Sequence, residues 1–248
     1  MPKAILYDAT LCIDCKQCEQ ACAQQNKNAY DDNIAKEQRT SDHKFTYVAD
    51  THGDKYMRKL CMNCLDPTCA SVCPVGALVK HPEGPVSYNA DACMGCRYCM
   101  VACPFGVPKY EWSKTIPRVR KCIMCPDRVL AGKQTACAEA CPTGATLFGD
   151  RDQLIAEARK RIAAEPGKYV PTIYGLNEVG GTSVLILSSV PVETFGYPAS
   201  QKYGDRPLPP LTANMLEHVP QVVTVGWAVL GGIWWITNRR EIVKENDQ

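Results

Sequence analysis

The chemistry open to this chain is concentrated in its thiols. Sixteen cysteines occur in 248 residues and fall into four groups of four. The first is Cys12, Cys15, Cys18 and Cys22, and the second Cys61, Cys64, Cys69 and Cys73. The third is Cys93, Cys96, Cys99 and Cys103, and the fourth Cys122, Cys125, Cys137 and Cys141. Pro74, Pro104 and Pro142 follow the last cysteine of groups two to four. Disulfide frameworks suit small secreted domains with scattered cysteines, and thiols a few residues apart bridge one another only with strain. Crowded thiolates converge instead on a compact metal centre.

The first and third groups read C-x2-C-x2-C-x3-C. The second widens the middle gap to four residues, and the fourth opens it to eleven, through Gly132. Three thiolates at two-residue intervals on a tight loop can grip three irons of one cube. The fourth, expected at the start of a helix, points away and ligates the other cluster of a pair. The proline after it turns the chain out of the loop and removes a donor that would lack a partner. Groups are therefore expected to work in pairs, and four groups to hold four 4Fe-4S clusters. Structural zinc would also consume sixteen cysteines, at two C-x2-C pairs per ion. Zinc needs neither the third cysteine two residues on nor the terminal Cys-Pro. A three-iron cluster is expected where a ligand is missing, and none is missing.

The elements that must position these loops are short. Lys3 to Asp8 reads as a strand entering the first loop, and Ala145 to Phe148 as its counterpart after the last. Ala77 to Lys80 and Val86 to Tyr88 flank Pro82-Glu83-Gly84-Pro85, a hairpin signal. Phe45 to Val48 and Lys55 to Met57, around His52-Gly53-Asp54, suggest another. Cys-Pro-x-Gly-Ala at Cys73 and again at Cys141 marks an internal repeat. Leu154, Ile155, Ala158 and Ile162 recur at helical spacing and predict a surface helix of about three turns. Residues 168–215 are rich in Pro, Gly and Tyr, with one strand candidate, Val184 to Leu187. So long a stretch with little regular structure is expected to lie as an arm on a partner subunit, a plain tether being the alternative.

No Asp, Glu, Lys or Arg lies between Glu217 and Arg239. Val219 to Asn238 is 20 residues, roughly 30 Å as a helix, the thickness of a bilayer core. Pro220 suits its first turn, Ala228 and Gly232 suit close helix packing, and Trp234 and Trp235 suit an interfacial belt. A buried core helix is the alternative. Arg239 and Arg240 follow the segment, so the C-terminus is expected in the cytoplasm and the cluster domain on the periplasmic side. The first twenty residues show neither an apolar run nor twin arginines, so export is expected to ride on a partner.

Longer phrases carry a resemblance. They are Tyr7-Asp8-x-Thr10-x-Cys12, Cys-Met-x-Cys at Cys61, Lys121-Cys122-x-x-Cys125 and the run from Cys96 to Tyr110, Cys-Arg-Tyr-Cys-Met-Val-Ala-Cys-Pro-Phe-Gly-Val-Pro-Lys-Tyr. Gly180-Gly181-Thr182, the strand to Val190-Pro191 and a single terminal helix extend the likeness over nearly the whole chain. The pattern resembles the four-cluster ferredoxin-like electron-transfer subunits of molybdopterin oxidoreductases and periplasmic hydrogenases. It is similar to the membrane-anchored iron–sulfur subunit of hydrogenase-2-type nickel–iron enzymes and the beta subunit of formate dehydrogenase N. Two departures are Ala23 where a proline would follow the first group, and the missing export signal.

The resemblance implies an α+β fold of two nested bacterial-ferredoxin-like modules, each with two 4Fe-4S clusters. It implies an outer module at 1–50 and 109–150 and an inserted one at 51–108. The helix and extended partner-binding arm at 151–215, a transmembrane helix at 216–238 and a cytoplasmic tail at 239–248 complete the chain. The implied ligand sets are Cys12, Cys15, Cys18 and Cys141 for cluster 1, and Cys22, Cys122, Cys125 and Cys137 for cluster 2. Cluster 3 takes Cys61, Cys64, Cys69 and Cys103, and cluster 4 takes Cys73, Cys93, Cys96 and Cys99. Sequential pairing of groups is the alternative; the strand symmetry favours nesting. Implied partners are a large catalytic subunit, either a hydrogenase or a molybdopterin enzyme, an integral membrane quinone- or haem-binding subunit, and membrane lipid.

A net charge of +2 implies no nucleic acid partner, and no nucleophile–base pair or phosphate loop supports an independent enzyme. A scaffold with structural clusters, or a subunit of another molybdopterin oxidoreductase, are alternatives to the electron relay. Lys16, Arg97, Lys109, Arg120 and Lys121 lie beside ligands in sequence, where positive charge raises a cluster's potential, unless they are solvated surface charges. His218, at the membrane edge, is placed either to approach a quinone or haem or to sit as an ordinary interfacial histidine.

Overall fold

The computed structural model describes residues 2–50 and 55–246. In chain order the elements begin β1 (Lys3–Asp8), α1 (Gln17–Gln25), β2 (Tyr47–Asp50), β3 (Tyr56–Lys59), α2 (Thr68–Ser71), β4 (Leu78–Lys80) and β5 (Val86–Tyr88). They continue α3 (Tyr98–Val101), β6 (Lys109–Tyr110), β7 (Val119–Arg120), α4 (Pro126–Leu130), α5 (Ala136–Glu139), β8 (Thr146–Asp150) and α6 (Arg151–Ala164). The last are β9 (Val184–Leu187), α7 (Ser200–Tyr203) and α8 (Pro209–Asn246). They divide into two compact units, one ending at Pro207 and one starting at Leu208.

β1 is apolar from Ala4 to Tyr7 because it is the middle strand of three, in the order β8-β1-β9. β8 pairs antiparallel, with Lys3 opposite Asp150 and Tyr7 opposite Thr146. β9 pairs in parallel, with Ile5 opposite Val184 and Asp8 opposite Leu187. Side chains alternate across a sheet, so Ala4, Leu6, Leu185 and Leu187 pack on Leu154 and Ala158 of α6. Ile5, Tyr7, Val184 and Ile186 face a second core with Met57, Leu60, Met62, Met124 and Cys137. The cysteine groups are built over that second core.

The expected β4–β5 hairpin forms, with Leu78 opposite Tyr88. β2 and β3 also pair, Tyr47 opposite Lys59; the expected turn at His52-Gly53-Asp54 lies outside the described residues. The hairpin tip meets the sheet closely, since Lys3 N donates to Glu83 O at 2.7 Å. Gly84 there has φ +121°, and a Cβ on it would stand 2.4 Å from Lys3 O. α1 packs on α5, and α2 on α3.

The structure corrects three expectations. The third cysteine of each group, not the fourth, starts a helix: Cys18, Cys69, Cys99 and Cys137 are each the second residue of α1, α2, α3 and α5. Cys22 lies inside α1, whereas α2, α3 and α5 end at Ser71, Val101 and Glu139, so that Cys73, Cys103 and Cys141 lie just past them, each followed by proline.

Second, residues 168–207 are not an arm free for a partner. They fold on this chain, β9 fully buried against β1 and Tyr169, Ile173, Tyr174, Val192, Phe195 and Tyr197 buried beside it. Leu65 N donates to Gly181 O at 3.0 Å and Ser183 N to Asn63 O at 3.0 Å, so the segment also clamps the second cysteine loop. An open β1 edge and a line of apolar side chains are satisfied together.

Third, the terminal helix is longer than the expected membrane span and starts at Pro209. Pro209 and Pro210 take the first turn, where a missing N–H is harmless, and Pro220 lies inside the helix. Within α8, His218–Arg240 is long and apolar enough to cross a membrane, and none of it is buried.

Candidate iron–sulfur sites

All four cysteine loops are wound alike. The residue before the second cysteine has positive φ in every group: Asp14 (56°), Asn63 (45°), Gly95 (73°) and Met124 (63°). A left-handed residue in a tight loop can turn neighbouring N–H groups to one side, a concavity that suits an anion; Cys125, beside Met124, is left-handed as well, with φ 48°. Asp, Asn and Gly visit this region readily, whereas Met124 does so at a cost of about 1–2 kcal/mol.

The exit from the loops is equally regular. Gly76, Gly106 and Gly144, third after Cys73, Cys103 and Cys141, have φ of 61°, 61° and 67°. That reversal returns backbone N–H groups to the sulfur. Ala77 N donates to Cys73 Sγ at 3.2 Å and Thr146 N to Cys141 Sγ at 3.4 Å. Cys103 receives backbone bonds from Phe105, Gly106 and Val107. The repeated Cys-Pro-x-Gly is thus a device for hydrogen-bonding a thiolate.

The thiols gather in four places. Cys73, Cys93, Cys96 and Cys99 line one cavity, walled by Leu78 and Val119. Cys61, Cys64, Cys69 and Cys103 line another, with Lys121 in its wall. Cys22 lies close enough to Cys122, Cys137 and Cys125 to repel them as thiolates. Cys12 stands likewise to Cys141, and Cys18 to Cys12; Cys15 is exposed on the same loop. Neighbouring places lie within electrostatic reach of one another: Cys18 of Cys137, Cys122 of Cys61 and Cys69 of Cys99.

Burial pushes Cys18, Cys69 and Cys122 up to about 12 and Cys99 up to about 11. For Cys137 burial acts upward too, but Arg58 and a Thr135 hydrogen bond outweigh it and the thiol lies below its ordinary value. Cys141 is lowered against burial by its bonds from Thr146 and Thr143.

Soft sulfur donors gathered in fours, on loops that return N–H groups to the sulfur, fit an iron–sulfur cube.

Sequence neighbours of the ligands were a poor guide to nearby charge. Lys16 pairs with Asp14 at 2.6 Å and reaches Val48 O, while Arg97 lies over the rings of Tyr110 and Trp112. Lys109 bonds Gly106 O on the surface, and Arg120 lies over Phe45, 3.7 Å from Glu111. Of the five, Lys121 is the one buried among thiols, its Nζ 4.0 Å from Cys61 Sγ, 3.2 Å from Val86 O and 3.1 Å from Cys122 O. Sequence reasoning missed Arg58, 1% exposed. Burial works against its charge, but Cys137, Cys18 and Cys22 outweigh that and hold the guanidinium charged. Nothing in Tyr56-Met57-Arg58-Lys59 signals this, because the contact is made across the fold. Lys80 was missed for the same reason; it reaches Gly84 O at 2.7 Å and stands near Cys64 and Cys61. His218 is exposed on α8.

Residues 54–151 match the model of the 4Fe-4S dicluster domain. Over 98% of its length the chain is 39% identical to a protein of Nitratidesulfovibrio vulgaris Hildenborough, covering 69% of it. Over 95% of its length it is 35% identical to the hydrogenase-2 operon protein HybA of Escherichia coli O157:H7, covering 84% of that protein. The chain belongs to this family. It is a ferredoxin-like iron–sulfur electron-transfer protein. Family likeness extends to the formate dehydrogenase-O iron–sulfur subunit of Escherichia coli K12, at 34% identity over 73% of this chain and 65% of that subunit. The dicluster match takes in cysteine groups two to four; the first group lies before it.

Proposed function

We propose that the chain relays electrons through four 4Fe-4S clusters between a large catalytic subunit and an integral membrane quinone- or haem-binding subunit. It has no substrate chemistry of its own. The observation that carries this reading is that each thiol set lies within electrostatic reach of the next, Cys18 of Cys137, Cys122 of Cys61 and Cys69 of Cys99.

Cys12, Cys15, Cys18 and Cys141 hold the first cluster, and Cys22, Cys122, Cys125 and Cys137 the second. Cys61, Cys64, Cys69 and Cys103 hold the third, and Cys73, Cys93, Cys96 and Cys99 the fourth. The groups are thus nested, one with four and two with three, a reading supported by the packing of α1 on α5 and α2 on α3. The clusters supply one-electron transfer. The chain supplies their spacing, dry surroundings, N–H bonds to sulfur and fixed charge.

The catalytic partner is of hydrogenase or molybdopterin formate dehydrogenase type. The match to HybA runs through 95% of this chain, against 73% for the formate dehydrogenase subunit, which favours the hydrogenase type. The helix at His218–Arg240 anchors the protein in lipid. Its end lies in the cytoplasm and the clusters in the periplasm, a reading supported by Arg239 and Arg240 after the apolar span. Protease treatment of spheroplasts tests the orientation: the cluster domain is cut, and full protection contradicts it.

Purification of the intact complex from membranes without oxygen tests the function. Hydrogen or formate, supplied according to the large subunit recovered, reduces the cluster signals and a quinone reoxidises them. Clusters indifferent to donor and quinone would make the chain a scaffold.

A further inference from the structure

Six charged side chains are buried in the cluster-bearing unit among the described residues: Asp8, Glu19, Lys44, Arg58, Glu111 and Lys121. Asp8 pairs with Arg161 at 3.0 Å, Glu19 with Lys44 at 2.6 Å and Glu111 with Lys114 at 2.6 Å. Arg58 is held by two hydroxyls, its Nε donating to Thr46 Oγ1 at 2.9 Å and its Nη1 to Thr146 Oγ1 at 3.2 Å. Lys121 stands in the wall of a thiol cavity, the one lined by Cys61, Cys64, Cys69 and Cys103.

Three contacts fix its ammonium there. Nζ donates to Cys122 O at 3.1 Å, to Val86 O at 3.2 Å and to Cys61 Sγ at 4.0 Å. An ammonium has three N–H donors and no acceptor, so every donor is used and the group is a full cation. Two of the partners are main-chain carbonyls, which hold the charge in place. The third is a thiol, and no carboxylate pairs with Lys121 among the described residues. A buried charge left without a counter-charge is heavily destabilising, so the counter-charge has to come from the sulfur side of the cavity.

A second lysine approaches the same cysteine loop. Lys80 Nζ donates to Gly84 O at 2.7 Å, to Ser183 Oγ at 3.4 Å and to Asn63 O at 3.5 Å. Asn63 lies between Cys61 and Cys64. The β4–β5 hairpin therefore supplies one cation, Lys80, and the Val86 carbonyl that aims the other.

We propose that Lys121, donating to Cys61 Sγ in the cavity of the third thiol set, is the fixed charge that raises the reduction potential of the cluster held there, with Lys80 adding to it from the carbonyl of Asn63. This rests on the reading that the set Cys61, Cys64, Cys69 and Cys103 holds a cluster. On reduction that cluster takes one electron and gains one negative charge, while Lys121 keeps its three protons and none moves. A buried cation and an N–H bond to a ligand sulfur both favour the more negative state. The third cluster is thereby easier to reduce than its four sulfur ligands alone would make it.

The test is an EPR-monitored redox titration of the intact, anaerobically purified complex. Cys103→Ser identifies the third cluster's signal as the one it alters. Lys121→Met removes the charge at similar volume and is expected to lower the reduced-to-oxidised ratio of that signal tenfold, about 59 mV for one electron, with every other signal moving less. Lys80→Met lowers the same signal by a smaller factor. Lys109 bonds Gly106 O on the surface, just after Cys103, where water screens its charge, so Lys109→Met moves the signal less than twofold. A third-cluster signal unmoved in Lys121→Met overturns the proposal, as does a larger shift in another signal or an equal shift in Lys109→Met. Should Lys121→Met not assemble, Lys121→Gln, which keeps N–H donors without the charge, is read in the same way; should neither assemble, Lys80→Met decides by whether the same signal falls. Absence of cluster signals from the natural protein would defeat the relay reading itself; signals present but unmoved would defeat only the role of the lysines.

Discussion

Asp8 is fully buried one turn before the first cysteine loop and accepts four hydrogen bonds. Thr10 N and Thr10 Oγ1 donate to Oδ1 at 3.0 and 2.7 Å, and Arg161 and Tyr169 to Oδ2 at 3.0 Å each. The phrase Tyr7-Asp8-x-Thr10-x-Cys12 is therefore a clasp that ties the loop entrance to α6 and to the segment after it. Asp8→Ala leaves buried donors without an acceptor and is expected to cost about 3–5 kcal/mol, read as a fall in the denaturation midpoint; Asp8→Asn costs less. A loss from Asp8→Ala below about 1 kcal/mol would show that the clasp is dispensable. The residues legible in sequence are those whose role depends on local spacing, the sixteen thiols first among them. Arg58 was illegible because β3 carries it to Cys137 across 79 positions of chain. Lys121 stood in view but could not be told from Lys16 or Arg97 without the fold.

At the scale of elements, β9 decides whether residues 168–207 belong to this chain's core. Leu185 is fully buried between β1 and α6, so Leu185→Ala is expected to destabilise the cluster unit by about 2–5 kcal/mol. A chain ended after Ala164 is expected to lose its iron on purification, whereas an arm made only for a partner would leave the iron in place. Gly84 marks the seam between the β4–β5 hairpin and β1. Gly84→Ala forces a side chain against Lys3 O and is expected to cost about 2–4 kcal/mol through overpacking and strain, read in thermal unfolding. Strands β1 and β8, the two hairpins and α6 were readable from apolar pattern and turn residues. β9 was recognised as a strand but not placed, since parallel pairing with β1 leaves no mark in a stretch broken by Pro and Gly. The apolar span of α8 was readable, Val219 to Asn238 falling inside His218–Arg240, but the turns before it were not, because Pro220 suits a first turn and Pro209 gives the same signal earlier.

Over the whole molecule, one unit carries the thiols and the other is a helix with a 23-residue apolar stretch. A chain ended at Pro207 is expected to leave the membrane fraction in carbonate while keeping its clusters; retention there without α8 would assign anchoring to a partner. The central claim is that all sixteen cysteines bind 4Fe-4S cubes, and metal content answers it most directly. Iron, acid-labile sulfide and zinc, counted per chain in anaerobically isolated protein, should give about four irons and four sulfides per cluster, four clusters and no stoichiometric zinc. Zinc in place of iron, or iron for fewer than four cubes in undegraded protein, would contradict it.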